Sequence, residues 1–254
     1  MSLFQAIVLG LIQGITEFFP ISSSSHERIV NFLLSSSILE NDVLFDLACH
    51  MGTVLAALYF FRKEIWSILR SITKMSYYAL ALVPLAIIYF SMKKAILYLD
   101  KPHFMGFALI ITALLLFYVS FKKIKEKEKF SIKDNIKDVL LIGIMQTMAL
   151  IPGLSRSGFT ISAALLRGWN IKKAITFSFI LSIPTIMGGS FLEVLHISSL
   201  PKTPMIIYLA AFLSSFIAGM ICVHFVFKAI TQKNMRYFAC YCLFLAILSM
   251  ILFR

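Results

Sequence analysis

Acidic residues are scarce in this sequence: Asp and Glu together number 12 in 254 residues, and only 14% of the chain is charged. A soluble domain carries about 25% charged residues. An ordinary water-soluble globule and a disordered chain are therefore both excluded. Cysteine is sparse too. Cys49, Cys222, Cys240 and Cys242 all lie in apolar stretches with no C-x-x-C spacing, which excludes a disulfide-stapled secreted domain. They read as small buried hydrophobes. No Lys or Arg precedes Arg28 and no small-residue cleavage site follows the first apolar stretch. A signal peptide is not expected, and that stretch is expected to stay in the mature protein.

What fills the chain instead is apolar: 59% hydrophobic residues and a mean hydropathy of +0.88. This predicts an integral membrane protein, one domain of several bundled helices. The formal net charge is +12, from 24 Lys and Arg. In a soluble protein that excess would suggest nucleic acid. Here the basic residues fall in short gaps between apolar runs, where they set topology and meet anionic head groups, and no nucleic-acid partner is expected.

A spanning helix needs about 20 apolar residues. Six stretches approach that length, at 47–61, 75–92, 103–121, 174–192, 205–227 and 237–253. Two more are interrupted: 3–38, broken at Phe19-Pro20 and a serine run, and 139–168, broken at Pro152-Gly153. Each reads as two half-helices joined by a polar turn. Lipid cannot satisfy the free backbone groups of such a turn, so it must be buried in protein or line a watery cavity.

The gaps test this layout. Seventeen basic residues fall on one side, in the gaps after the first, third and fifth spans and before the fourth. The alternate gaps carry only Lys93, Lys94, Lys101 and Lys202. The richer side is expected to be cytoplasmic. The basic run at 122–137, interleaved with Glu126, Glu128, Asp134 and Asp138, reads as a solvated cytoplasmic loop. Each half is then one broken segment followed by three spans, and an odd number of spans inverts the second half. The expected organisation is a single membrane domain over 1–254, with repeat 1 at about 1–121, the loop at about 122–138 and repeat 2 at about 139–254. The fold class is all-α integral membrane: six transmembrane helices plus two re-entrant half-helix pairs in an inverted-topology repeat. A weak echo supports it, Gln13-Gly-Ile-Thr-Glu17-Phe-Phe-Pro20 lying over Gln146-Thr-Met-Ala-Leu150-Ile-Pro152 with a one-residue slip. Proline-interrupted segments in corresponding halves point to a site near the midplane.

In the first broken segment Gln13 and Glu17 stand four apart, on one helical face. A carboxylate inside an apolar segment is costly and marks a functional site. One of the serines at 22–25 is expected to cap the short helix that follows. His26 falls in that helix's first turn, where the dipole favours a neutral imidazole able to act as a base. The second segment is Pro152-Gly153-Leu154-Ser155-Arg156-Ser157-Gly158-Phe159-Thr160. Gly153 and Gly158 let a ligand approach the backbone, while Ser155, Ser157 and Thr160 supply hydroxyls. A helix start with free N–H groups is an anion site, and Arg156 adds a fork of donors matched to phosphate. Together these residues imply a polyanion accompanied by a divalent metal, since Mg²⁺ is held by one or two carboxylates plus substrate phosphates.

Blander readings stand beside these. Glu17 and Arg156 could be a structural ion pair joining the repeats, and His26 a packing histidine. His50 could line the same cavity or simply pack. His103, His196 and His224 read as interfacial or packing residues.

On these two motifs, 13–26 and 152–160, the sequence resembles the undecaprenyl-pyrophosphate phosphatase family, also called bacitracin-resistance proteins, over essentially the whole chain. The resemblance implies hydrolysis of a C55 polyprenyl diphosphate to the monophosphate, recycling the lipid carrier of cell-wall peptidoglycan synthesis in the bacterial inner membrane. It implies that Glu17 and His26 are catalytic, that Arg156 grips phosphate, that Ser23 and Ser155 sit at the reacting phosphate, and that Mg²⁺ or Ca²⁺ supports activity. Gln13 stands where many members have a glutamate, which weakens a two-carboxylate metal model and leaves Glu17 as the main metal candidate, with Gln13 beside it. Ser24-Ser25 replaces the more usual Thr-Gly, and Glu27-Arg28 adds charge after the histidine.

The expected partner is a lipid diphosphate in the bilayer, reached from the outer side. Ser157, Thr160 and Gly153 complete the expected phosphate site, and a homodimer is allowed. Water, Ser23 and His26 all stay open as nucleophile. The rival function is a secondary transporter or lipid-phosphate flippase, because inverted repeats with broken helices around an anion also serve transport.

Overall fold

A computed structural model describes residues 2–34, 42–99, 101–127, 132–195 and 203–253. His196, Lys202, Glu128 and Lys129 lie outside the described residues, as do the side chains of Lys133 and Asp134. The described residues form helices and turns, with no strand among them. In chain order the helices are α1 Leu3–Thr16, α2 Ser23–Leu33, α3 Val43–Phe60, α4 Arg62–Leu69, α5 Ile72–Leu99, α6 Pro102–Phe121, α7 Ile132–Thr147, α8 Arg156–Leu166, α9 Ile171–Val194, α10 Met205–Ala229 and α11 Met235–Leu252.

Six of these are long and apolar enough to cross a membrane: α3, α5, α6, α9, α10 and α11. They coincide with the six expected spans, with ends that differ for physical reasons. α3 begins at Val43 rather than 47 because the Asp42 side chain accepts a hydrogen bond from the Phe45 amide at 3.2 Å and caps the helix. A charged residue that seems to end an apolar run is here the start of the helix. α5 continues through Lys93 and Lys94 past a kink at Met92 (φ −118°, ψ 19°). Large apolar side chains face outward along the spans, among them Phe90, Phe107, Phe225 and Phe244, each more than half exposed. A belt of that kind is tolerable only against acyl chains.

Both interrupted stretches are broken as expected. The chain leaves α1 at Thr16 and restarts at Ser23; it leaves α7 at Thr147, passes a 3₁₀ turn at Met148–Leu150 and restarts at Arg156. α2 and α8 have 11 residues each, about 16 Å of helix at 1.5 Å per residue, half of what the hydrocarbon requires. α1 packs on α10, α10 on α3, α7 on α5 and α6 on α11. The α1–α10 contact depends on glycine: a Cβ on Gly14 would lie 2.5 Å from the Ser215 carbonyl oxygen and 2.6 Å from the Ala218 methyl. Backbone rather than side chain forms that seam.

Two expectations are corrected. The second half of the basic run is not a solvated loop: α7 starts at Ile132, and Asp138 is fully buried. Its carboxylate accepts hydrogen bonds from Lys127 Nζ at 2.9 Å, from Trp169 Nε1 at 2.8 Å and from Arg167 Nε. Three donors replace the water the group gives up. Burial pushes the Asp138 carboxyl up, but these bonds outweigh it and hold it below the ordinary aspartate range. Cysteine supplies the second correction, since Cys240 is exposed while Cys49, Cys222 and Cys242 are buried. Cys240 and Cys242 are two apart, so on a helix they cannot share a face. His103 and His224 are exposed and lie against Phe104 and Phe225.

Candidate active site

The site is built where the two breaks meet. At the first, Glu17 is the residue that ends α1, its amide bonded to the Gln13 carbonyl at 3.0 Å. One helical turn brings their side chains together: Gln13 Nε2 donates to Glu17 Oε2 at 3.0 Å, and both residues are buried. The Ser23 hydroxyl donates to the same carboxylate oxygen at 2.8 Å.

Ser22, before α2, sits at φ 66°, in the left-handed region that non-glycine residues avoid. The serine cap expected on α2 is absent: Ser22 makes no side-chain capping bond. Its hydroxyl lies 3.0 Å from that of Ser25 and 3.2 Å from that of Ser24. The turned peptide instead presents its carbonyl oxygen to His26 Nδ1 at 2.7 Å. A carbonyl only accepts, so Nδ1 carries the proton and Nε2 is the lone-pair nitrogen.

At the second break Gly153 takes φ 97°, a conformation glycine adopts at no steric cost. Ser155 caps α8, its hydroxyl accepting from the Gly158 amide at 3.1 Å. The first amides of a helix have no partner within it, which leaves those of Arg156 and Ser157 open for an anion. The turns are pinned to each other by the Ser157 hydroxyl on the Phe19 carbonyl at 2.8 Å and by the Gly153 amide on Ser24 Oγ at 3.3 Å. Between them Arg156 Nη2 pairs with Glu17 Oε1.

The structure therefore gathers Gln13, Glu17, Ser23, Arg156 and the start of α8 into one cluster. It assigns other partners to three expected residues. His26 does not face Ser23: its Nε2 is met by the Tyr241 hydroxyl at 2.9 Å, while Ser23 turns to Glu17. Thr160 spends its hydroxyl on the Arg156 carbonyl at 2.9 Å and on Ser178 Oγ at 2.6 Å. Ser157 is committed to Phe19. His50 contacts the cluster, its Nδ1 lying 2.6 Å from Gln13 Nε2. Tyr241 and Thr112, whose hydroxyl accepts from the Ser155 amide at 3.3 Å, were not anticipated, because each is one polar group inside an ordinary apolar span.

Two polar atoms in this cluster are buried without a protein partner: Gln13 Oε1 and Arg156 Nη1. Buried polar groups are rarely left so, and each defines what it lacks. Nη1 wants an acceptor such as a phosphoryl oxygen. Gln13 Oε1, beside the Glu17 carboxylate, offers a hard oxygen to a cation. No group of three or more His, Cys, Asp or Glu side chains that could cage a metal exists among the described residues. Gln13 Oε1 and the Glu17 carboxylate are the oxygens that a hard divalent ion such as Mg²⁺ would use, with phosphate and water supplying its other ligands.

The fold is that of a polytopic helical membrane protein, with a buried carboxylate–guanidinium pair where its two broken segments meet. Comparison with known proteins makes this specific: the chain belongs to the family described as bacitracin resistance protein BacA, whose model matches residues 6–248. An undecaprenyl-diphosphatase of Protochlamydia amoebophila is 38% identical over 260 residues, covering 100% of both chains. Undecaprenyl-diphosphatases of Christiangramia forsetii and Carboxydothermus hydrogenoformans are 32% and 31% identical, each match covering 99% of this chain and 98% of the relative.

Proposed function

We propose that this protein is an undecaprenyl-diphosphatase, hydrolysing the C55 polyprenyl diphosphate to the monophosphate and inorganic phosphate. The observation that carries the reading is the Glu17–Arg156 pair with its unsatisfied Nη1 beside the open amides of α8. Full-length identity to enzymes of that name supports the substrate. A transporter would need the same anion site, but the relatives are named for hydrolysis.

Arg156 keeps Glu17 on Nη2 and turns Nη1 to the transferring phosphoryl group, stabilising charge that develops there. The amides at the start of α8 hold a second phosphate oxygen. Glu17 fixes the Ser23 hydroxyl and, with Gln13 Oε1, would hold Mg²⁺ or Ca²⁺. Such an ion, when bound, neutralises diphosphate charge. The Ser23 hydroxyl is directed to Glu17 Oε2, while the lone-pair nitrogen of His26 meets the Tyr241 hydroxyl instead. This favours water over Ser23 as the nucleophile.

In this reading the chain lies in the bacterial inner membrane as one domain, with its site toward the outer face and the lipid tail between helices. Its halves are inverted repeats, about 1–121 and 139–254. Packing supports that pairing. With α1, α3, α5 and α6 matched to α7, α9, α10 and α11, the contacts α1–α10 and α7–α5 exchange, and α6–α11 maps onto itself. Gly10 and Gly143, three residues before Gln13 and Gln146, abut the backbone of Ala211 in α10 and Ala81 in α5 respectively. Gln13 reaches His50 in α3, and Gln146 reaches Thr185 in α9 at 3.2 Å. The individual half-helices, 14 and 11 residues in the first break and 16 and 11 in the second, are each too short to cross alone, which supports re-entrance.

The test is phosphate release from a prenyl diphosphate by purified protein in detergent, with and without chelator. Release that falls on chelation is the expected result. A signal no greater than the blank would overturn the assignment, since a transporter has nothing to do without compartments.

A further inference from the structure

The proton route at His26 deepens the phosphatase reading and rests on it. His26 is tied at both nitrogens. The Ser22 carbonyl fixes the proton on Nδ1, so the group 2.9 Å from Nε2, the Tyr241 hydroxyl, must donate to it. The rings also stack, with centroids 5.6 Å apart and planes at 20°. α11 otherwise barely touches α2; 215 residues separate the two side chains.

The lone pair that would accept a proton is therefore covered by a phenol rather than open to the site. A phenol oxygen that donates one hydrogen bond still has two lone pairs. Among the described residues the Tyr241 hydroxyl has no partner other than His26. Tyr241 is 40% exposed, so its hydroxyl is not there to fill a core. Ser23 cannot be the group that uses His26 in this arrangement, because its proton is directed to Glu17 Oε2.

We infer that Tyr241 is the relay through which His26 takes the proton of the attacking water. As the water oxygen bonds to phosphorus and the phosphoanhydride bond breaks, one water O–H bond breaks and its proton goes to the phenol oxygen. The phenol's own proton moves to Nε2. The water's electron pair stays on the new phosphate oxygen, the prenyl monophosphate leaves with the anhydride pair, and the imidazolium carries the extra charge until the reverse transfer returns the proton to water. Tyrosine is unchanged over the cycle. The strained Ser22 peptide and Tyr241 together set the tautomer that makes this direction possible.

Tyr241→Phe keeps the stacked ring and removes the hydroxyl alone. In detergent with a prenyl diphosphate, kcat is expected to fall at least about tenfold, a modest part of what a positioned acid or base contributes, with KM unchanged. His26→Ala should fall further, and the double variant should be no slower than His26→Ala, because a relay to an absent base has no work left. The wild type should give a curved proton inventory in mixed H₂O and D₂O, and Tyr241→Phe a linear one. Imidazole ¹⁵N shifts should report the Nδ1–H tautomer in wild type and a tautomer mixture in Tyr241→Phe. A Tyr241→Phe enzyme with wild-type kcat overturns the relay while leaving the phosphatase reading intact. Equal losses in the wild-type and His26→Ala backgrounds overturn it too, exposing a structural role. A wild-type protein that releases no phosphate overturns both.

Discussion

Glu17 and Arg156, 139 positions apart in the chain, form an ion pair at the junction of the two broken segments. Neither charge would be tolerated alone in so buried a setting, and each break supplies the other's partner. The pair is also unequal. Both Glu17 oxygens are engaged, one by Arg156 and the other by Gln13 and Ser23, while Arg156 keeps Nη1 unpartnered. A purely structural bridge would satisfy both sides. This one retains donor capacity, which is what an enzyme acting on an anion needs.

Removing the guanidinium should therefore stop the reaction. Arg156→Ala is expected to lower phosphate release at least about 100-fold, the scale of losing one donor to a developing charge. Arg156→Lys should not restore it, because a single ammonium cannot hold Glu17 and a phosphoryl oxygen in the fork geometry. Near-normal release by the lysine variant would refute the shared-fork role.

The proposed metal dependence is tested at Gln13. Its amide donates to Glu17 Oε2 at 3.0 Å, so Gln13→Glu would face two carboxylates across that gap. Their repulsion in a low-dielectric setting is relieved by a divalent cation. The variant should lose thermal stability in chelator and show a larger rise in melting temperature with Ca²⁺ or Mg²⁺ than the parent. An identical metal titration of both proteins would remove Gln13 from the metal side of the site.

Why some of this was legible in the sequence and some was not follows from the environment each residue meets. In lipid, backbone satisfaction forces long apolar helices, so six spans and two breaks could be read from hydropathy, proline and serine alone. Glu17 and Arg156 stood out because charge in such segments is costly. Tyr241 and Thr112 did not, since a tyrosine or threonine in an apolar span is unremarkable until another element brings it a partner. Asp138 was misread as loop for the opposite reason: a charge among charges looks solvated, and only the fold brings Lys127, Arg167 and Trp169 around it. The Ser22 conformation was out of reach as well, because serine signals a cap, and here the carbonyl rather than the hydroxyl has the role.

That aspartate gives a stability prediction. Asp138→Asn leaves Lys127 and Arg167 facing a neutral amide; because both cations are partly exposed, the cost is smaller than the roughly 3 kcal/mol of breaking a fully buried pair. The melting temperature in detergent should fall clearly. In the parent, the carboxyl titrates lower when folded than the ordinary value of 3.8. Its stabilising contribution is thus fully present above about pH 4 and is lost as pH falls through the depressed folded value. Asp138→Asn should lack that acid-side loss. Parallel acid-stability curves for the two proteins would show that the knot contributes nothing.

Orientation ties the chemistry to a compartment, and two exposed lysines decide it. Lys123, after α6, belongs to the basic-rich side, whereas Lys101, between α5 and α6, belongs to the poor one. Three of the four native cysteines are buried and only Cys240 is exposed, so a Cys240→Ala background leaves few competing thiols. In that background a membrane-impermeant maleimide added to intact spheroplasts should label Lys101→Cys and spare Lys123→Cys, and inverted vesicles should give the reverse. Basic residues near span ends hold their side by interaction with the cytoplasmic leaflet and the insertion machinery; one span separates the two positions, so they cannot share a face. Labelling of Lys123→Cys from outside would turn the molecule over and put the basic loop, rather than the poor side, at the outer face.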